Sequence, residues 1–149
     1  MSATINIERE IFIAASPETV FAFFVEPALM ARWFGRCHTL DLRRGGIFRV
    51  ELSAGGVARG TFTEVTPHRR VAFTWGWEGR DDLPPGQSLV EIDLEPAEGG
   101  TLIRLRHSGL PTTAREPFGP EQHGKRWSHY LAQLEAQCSF PRHHEGSQP

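Results

Sequence analysis

The sequence predicts an α+β fold: an antiparallel sheet of about six or seven strands with one face closed by a long C-terminal helix, and two short helices after the first strand. Three observations predict it. Apolar and polar residues alternate through most of residues 38–108, the period of strands with one wet face. Pro27 divides the apolar run VFAFFVEPALMARWFG, which caps the length of any helix there. Trp127, Leu131, Leu134 and Cys138 follow one another at spacings of four, three and four, the stripe of an amphipathic helix. An apolar sheet face and an apolar helix stripe must bury each other.

Each element follows in order. Residues 4–14 read as a strand, with Ile5, Ile7, Arg9, Ile11 and Ile13 on one parity and Asn6, Glu8 and Glu10 on the other. Arg9 is the exception on the drier face. Ser16-Pro17-Glu18 starts a helix: Ser16 caps free amides, Pro17 suits the first helical position, and Glu18 favours the positive end of the dipole. Val20, Phe21 and Phe24 share its apolar face. Pro27 lacks an amide hydrogen and pushes Glu26 toward extended backbone, so that helix stops. A second short helix restarts at Pro27, with Leu29, Met30 and Trp33 on one face and Gly35 closing it.

Strands follow at residues 38–43, 47–53, 57–65, 70–77, 89–95 and 101–108, separated by turns at Gly45-Gly46, Gly55-Gly56, Pro67-His68-Arg69 and Glu98-Gly99-Gly100. Gly60 lets a neighbour approach closely, either the helix or the adjacent strand. The longest breaker, GRDDLPPGQ at residues 79–87, reads as a mobile hairpin loop with Asp81 and Asp82 at a solvated tip. Pro111, Pro117 and Pro120 punctuate a loop before the last helix, residues 120–138. Residues 1–138 thus make one domain, and residues 139–149 a polar tail.

Composition narrows the function. In 149 residues, eighteen acidic side chains against sixteen basic ones leave a net charge of −2. No broad positive field exists to hold phosphates, so a nucleic-acid partner is not expected. No apolar run approaches the roughly 20 residues that span a bilayer, so no membrane insertion is expected. Cys37 and Cys138 form no CxxC pair, and MSATINIERE lacks the pattern of a signal peptide. A cytoplasmic protein with reduced thiols is the expectation. Cys37 and His38 point to opposite sides of a strand, His123 and His129 lie six apart on a helix, and His143-His144 fall in the tail. None matches a metal spacing. Without GxSxG, GxxxxGK[ST] or GxGxxG, neither a triad nor a cofactor loop is expected.

Six segments carry a resemblance: ASPETVF, RWFG, RRGGIFRV, GTFTEVTPHRRVAFTW, GGTLIRLRHSGL and HGKRWSHYLAQL, in register from about residue 5 to residue 134. The chain resembles the Hsp90-ATPase-activator-homologue branch of the START-like, or helix-grip, superfamily. The resemblance implies a curved antiparallel sheet gripping the C-terminal helix around a cavity. It also implies a range of functions: binding of hydrophobic small molecules, polyketide cyclisation, or stimulation of an Hsp90-type chaperone. The eukaryotic activator is similar only in its C-terminal domain, and its N-terminal chaperone-binding domain has no counterpart in these residues. Lys125-Arg126 stands where many relatives place a glycine before the tryptophan.

On that fold Trp33, Phe34, Phe48, Phe62, Phe73, Trp75, Trp77, Trp127, Tyr130 and Leu131 are expected to turn toward one interior. They either pack as core or line a pocket for an apolar or aromatic ligand. His107 shares parity with Ile103 and Leu105 and so points inward. It is either a hydrogen-bonded core histidine, a polar handle for a ligand, or the acid–base group of a cyclase- or dehydratase-like enzyme. Arg9, Arg59 and Thr61 are weaker candidates for polar groups near the cavity. The leading expectation is a binding protein for a hydrophobic or aromatic small molecule, held in a hollow between sheet and helix.

Overall fold

The computed structural model describes residues 4–52, 56–81, 83–112 and 120–146. Their order is β1 (Thr4–Ile13), α1 (Pro17–Val25), α2 (Pro27–Met30), β2 (Gly35–Leu40), β3 (Ile47–Leu52), β4 (Val57–Thr66), β5 (Arg70–Trp77), β6 (Ser88–Ala97), β7 (Gly100–Pro111) and α3 (Pro120–Gly146). The strands form one antiparallel sheet in the order β1-β7-β6-β5-β4-β3-β2, curled into a half-barrel around α3. Consecutive strands β1 and β2 therefore lie at opposite edges, and α1 and α2 carry the chain between them.

Local chemistry makes those two helices short. Ser16 caps α1 by accepting from the Thr19 amide at 3.2 Å. Glu26, at φ −101° and ψ 121°, ends it in extended backbone, as the following proline requires. Only four residues of α2 are helical, and residues 31–34 form a turn. Trp33 lies in that turn, where its indole donates to the Phe23 carbonyl at 2.9 Å and ties the turn to α1.

Alternation decides which side of the sheet is wet. Phe48, Val50, Phe62, Val71, Phe73, Trp75, Val90, Ile92, Ile103, Leu105 and His107 are buried on the concave face. The convex face carries ion pairs, among them Arg70 with Glu64, Glu91 and Asp93. From α3, His123, Trp127, Tyr130, Leu131, Leu134 and Cys138 close the core.

Several boundaries differ from expectation, each with a physical reason. Ile5 is 43% exposed because the β1–β7 register shifts between Ile5 and Ile7. β2 begins at Gly35, three residues early, pairing with Leu52 of β3. The helical backbone of α3 runs on to Gly146, beyond the expected end at Cys138. Loop 79–87 is a strap rather than a mobile hairpin: Leu83 is fully buried and its carbonyl accepts from the Trp77 amide at 2.9 Å. The close approach at Gly60 is the neighbouring strand, for a β-carbon there would meet the Thr74 carbonyl at 1.9 Å. Gly55, Asp82 and Pro117 lie outside the described residues, as do the side chains of Cys37, His38, His143 and His144.

Candidate functional site

β5 ends in Trp75 and Trp77, two residues apart and so on one face of the sheet. Opposite them α3 presents His123, Arg126, Trp127 and Tyr130 at spacings of three, one and three, one side of a helix. The turn after α2 inserts Phe34, and β3 ends in Leu52. These eight side chains wall a cleft.

The cleft is closed. Its void measures about 10 Å³, room for one water at most. A dry cavity that accepts benzene is about 150 Å³, and ligand pockets begin near about 300 Å³. The open hollow expected between sheet and helix is thus corrected. Large side chains fill the gap that sheet curvature leaves. Phe34 stacks on Trp127 at 5.6 Å and 12°, and on Trp33 at 5.0 Å and 29°. Its edge meets Tyr130 at 5.0 Å. Trp75 contacts Trp77 at 5.3 Å and Trp127 at 5.5 Å. Such pairs contribute about 0.5–1.5 kcal/mol each beyond their area.

Beneath the rings runs a polar network. The Trp77 indole donates to His123 Nε2 at 3.0 Å, and the Trp75 indole points to the same nitrogen at 3.4 Å. The Trp127 indole donates to His107 Nδ1 at 2.9 Å. His107 Nε2 and the Ser88 hydroxyl are 2.8 Å apart, and that hydroxyl donates to the Trp75 carbonyl at 2.8 Å. Since an indole only donates, His107 Nδ1 accepts and Nε2 carries the proton. The imidazole is neutral, and both of its nitrogens are engaged. Burial pushes the His107 pKa well below 6.5, and the His123 ring, 5.3 Å away between ring centres, adds to it because two imidazolium charges would repel at that distance.

The structure separates the expected site residues. Phe34, Trp75, Trp77, Trp127 and Tyr130 come together at the cleft. Trp33 lies one layer back, stacked on Phe34. Phe48, Phe62 and Phe73 pack on one another, with Phe48 and Phe73 stacked at 4.1 Å, and Leu131 is core. His107 is fully buried but is not one of the cleft walls. Arg9 is half-buried against α3, donating to Ser128 Oγ at 2.9 Å. Arg59 and Thr61 are exposed on the convex face. Sequence reasoning missed Leu52, His123 and Arg126 as walls. The signal was the helical stripe itself: His123 stands four residues before Trp127, and Arg126 four before Tyr130.

Two further features bear on chemistry. The Arg126 guanidinium lies over the Trp77 ring, 5.4 Å from its centre, a cation–π geometry. Cys138 is a free, buried thiol, and burial pushes its pKa up to about 12, which makes it inert. Among the described residues no group of acidic, histidine or cysteine side chains is arranged to hold a metal. No described helix is long and apolar enough to cross a membrane.

A family model, activator of Hsp90 ATPase homolog 1-like protein, matches residues 14–138. The chain belongs to this family. Among solved structures it is similar to an AHSA1-like protein from Rhizobium etli, at 38% identity over 92% of this chain and 84% of that one, with a TM-score of 0.69. CalU16 from Micromonospora echinospora is 29% identical, over 93% and 77% of the two chains, at 0.66. A protein from Chromobacterium violaceum is 26% identical, over 89% and 94%, at 0.72. No curated protein matches the chain. Within this AHSA1-like family the helix-grip fold is common ground.

Proposed function

We propose that this AHSA1-like protein binds a hydrophobic, aromatic small molecule in the cleft between β5 and α3, and that the cleft is closed until the ligand enters. The observation that carries the reading is the composition of the walls. Five aromatic side chains, a histidine and an arginine meet where the helix leaves the sheet, the mixture of apolar surface and few polar groups that small-molecule sites use. Burial of ligand surface would supply most of the affinity, at roughly 25 cal/mol per Å² before binding costs. The closed state lowers apparent affinity by the fraction of molecules open at any moment.

Binding is favoured over catalysis by the state of His107. Its lone pair is taken by Trp127, its proton faces Ser88, and a general base needs a free lone pair within reach of substrate. A chaperone-docking role gains no support from the surface. Among the described residues the exposed large apolar ones are Ile5, Phe12, Leu42 and Ile47; the first two sit toward opposite ends of β1 and the others at the β2–β3 turn.

The test is titration of the wild-type protein with 1-naphthoate, indole and decanoate, followed by the indole N–H resonances of Trp75, Trp77 and Trp127. The reading expects the aromatic probes to move these resonances saturably. If all three remain fixed at millimolar probe, the reading fails.

A further inference from the structure

We propose that the Phe34 ring occupies the ligand's own seat, and that the ligand is a planar aromatic bearing an anionic group, which displaces that ring. The inference rests on the binding reading above and names its ligand class. Its ground is the arrangement around Phe34. Two indoles, Trp33 and Trp127, face the phenyl ring from stacked positions at 29° and 12°. Tyr130 closes one edge at 5.0 Å, and Trp75 stands tilted at 6.0 Å. A seat walled by two stacked indoles selects flat π-systems, because stacked rings gain contact over their whole face while a flexible alkyl chain does not.

The same seat adjoins the residual void, so a ring larger than phenyl would fill both. Charge sets the substituent. Of the eight walls, Arg126 alone carries a permanent charge, and its guanidinium is held over Trp77. A fixed cation in a dry, aromatic cleft favours a carboxylate or phenolate over a neutral group of equal shape. The neighbouring imidazoles add no competing cation, since His107 stays neutral and the His123 Nε2 lone pair receives the Trp75 and Trp77 indoles.

The plug has the means to move. Phe34 belongs to the short turn between α2 and β2, held by its amide on the Met30 carbonyl at 2.9 Å and by the neighbouring Trp33 indole on Phe23. A phenyl ring carries no hydrogen-bonding group, and ring contacts hold it in place. A ligand that reproduces those contacts can replace it while the backbone anchors stay made.

Calorimetric titration with 1-naphthoate, its neutral analogue naphthalene-1-carboxamide, and decanoate tests the proposal on the full chain. In Phe34→Ala the seat is vacated, and 1-naphthoate is expected to bind at least ten-fold tighter than to wild type. The carboxamide should bind several-fold more weakly than the acid, a preference lost in Phe34→Ala/Arg126→Gln. Decanoate should gain nothing. In the wild type, saturating 1-naphthoate should move the Phe34 ring resonances out of their ring-current positions, a readout that stands even if Phe34→Ala does not fold. Wild-type binding with unmoved Phe34 resonances overturns the plug and leaves the binding reading intact. Absence of binding to wild type and to a folded Phe34→Ala overturns both. Equal affinity for acid and carboxamide overturns the ligand class.

Discussion

The Trp127 indole nitrogen lies 2.9 Å from His107 Nδ1, and this one bond dictates the imidazole's tautomer, its neutrality and its place in the core. His107→Leu removes the acceptor and strands a buried indole N–H, which costs about 2–4 kcal/mol. Trp127→Phe removes the donor and leaves Nδ1 bare. Removing both leaves no orphan from this bond, so the double variant should lose less than the sum of the singles. Urea unfolding of the four proteins measures the coupling. Strict additivity would show that the bond contributes nothing.

Acid should weaken the protein through the same residue. The unfolded chain protonates His107 near pH 6.5, whereas the folded chain, with its pKa pushed well below that by burial and by His123, does not. Below pH 6.5 the unfolded state therefore binds the extra proton, and stability falls as pH falls. The slope for one group reaches about 1.4 kcal/mol per pH unit and lasts until the folded-state pKa is passed. Urea midpoints at pH 7.5, 6.5, 5.5 and 5.0 should decline only over the lower part of the series. In His107→Leu the decline should be shallower by about one proton's worth.

Gly76 is where the strap over Trp77 meets β5. A β-carbon at this position would lie 1.8 Å from the Pro84 carbonyl oxygen and 2.4 Å from the Pro85 nitrogen, both backbone atoms with little freedom. Gly76→Ala should lift residues 79–87 away, withdraw Leu83 from the core and break the bond from the Trp77 amide to Leu83. Loss of a buried leucine contact alone is about 2–3 kcal/mol. Limited proteolysis should cut the variant at this strap well before the wild type. Equal cutting rates would show that the strap tolerates the methyl group.

Periodicity and proline placement made most of the fold legible. The break at Pro27, the parity of β5 and the stripe of α3 each rest on local rules that tertiary packing does not overrule. The strap was not legible, because GRDDLPPGQ has the composition of any exposed loop and only Leu83 hints at an anchor. The state of the interior was not legible either. Patterning tells which aromatics face inward, but whether ten large side chains enclose a space or fill it depends on their rotamers and on the radius of the sheet. Phe34 shows the limit: its type and direction were readable, its stacking on both Trp33 and Trp127 was not.

Arg9 and Gly124 give the sharpest test of how α3 is seated. Arg9, the polar exception on the inner parity of β1, donates through Nε to Ser128 Oγ and through Nη1 to the Glu8 carbonyl, each at 2.9 Å. Its Nη2 lies so near the helix that a β-carbon on Gly124 would come within 2.8 Å of it. Glycine inside a helix costs about 0.8–1 kcal/mol relative to alanine, so Gly124→Ala gains that much from propensity. It also pushes the guanidinium from its place, and a hydrogen bond of this kind is about 0.5–1.5 kcal/mol. The two effects nearly cancel, and the single variant should lie within about 0.5 kcal/mol of wild type. In an Arg9→Ala background nothing remains to be displaced, so Gly124→Ala should stabilise by nearly the full helical gain, about 1 kcal/mol. A double-mutant cycle by urea unfolding reads the difference directly. Equal effects of Gly124→Ala in both backgrounds would mean that Arg9 does not grip the helix.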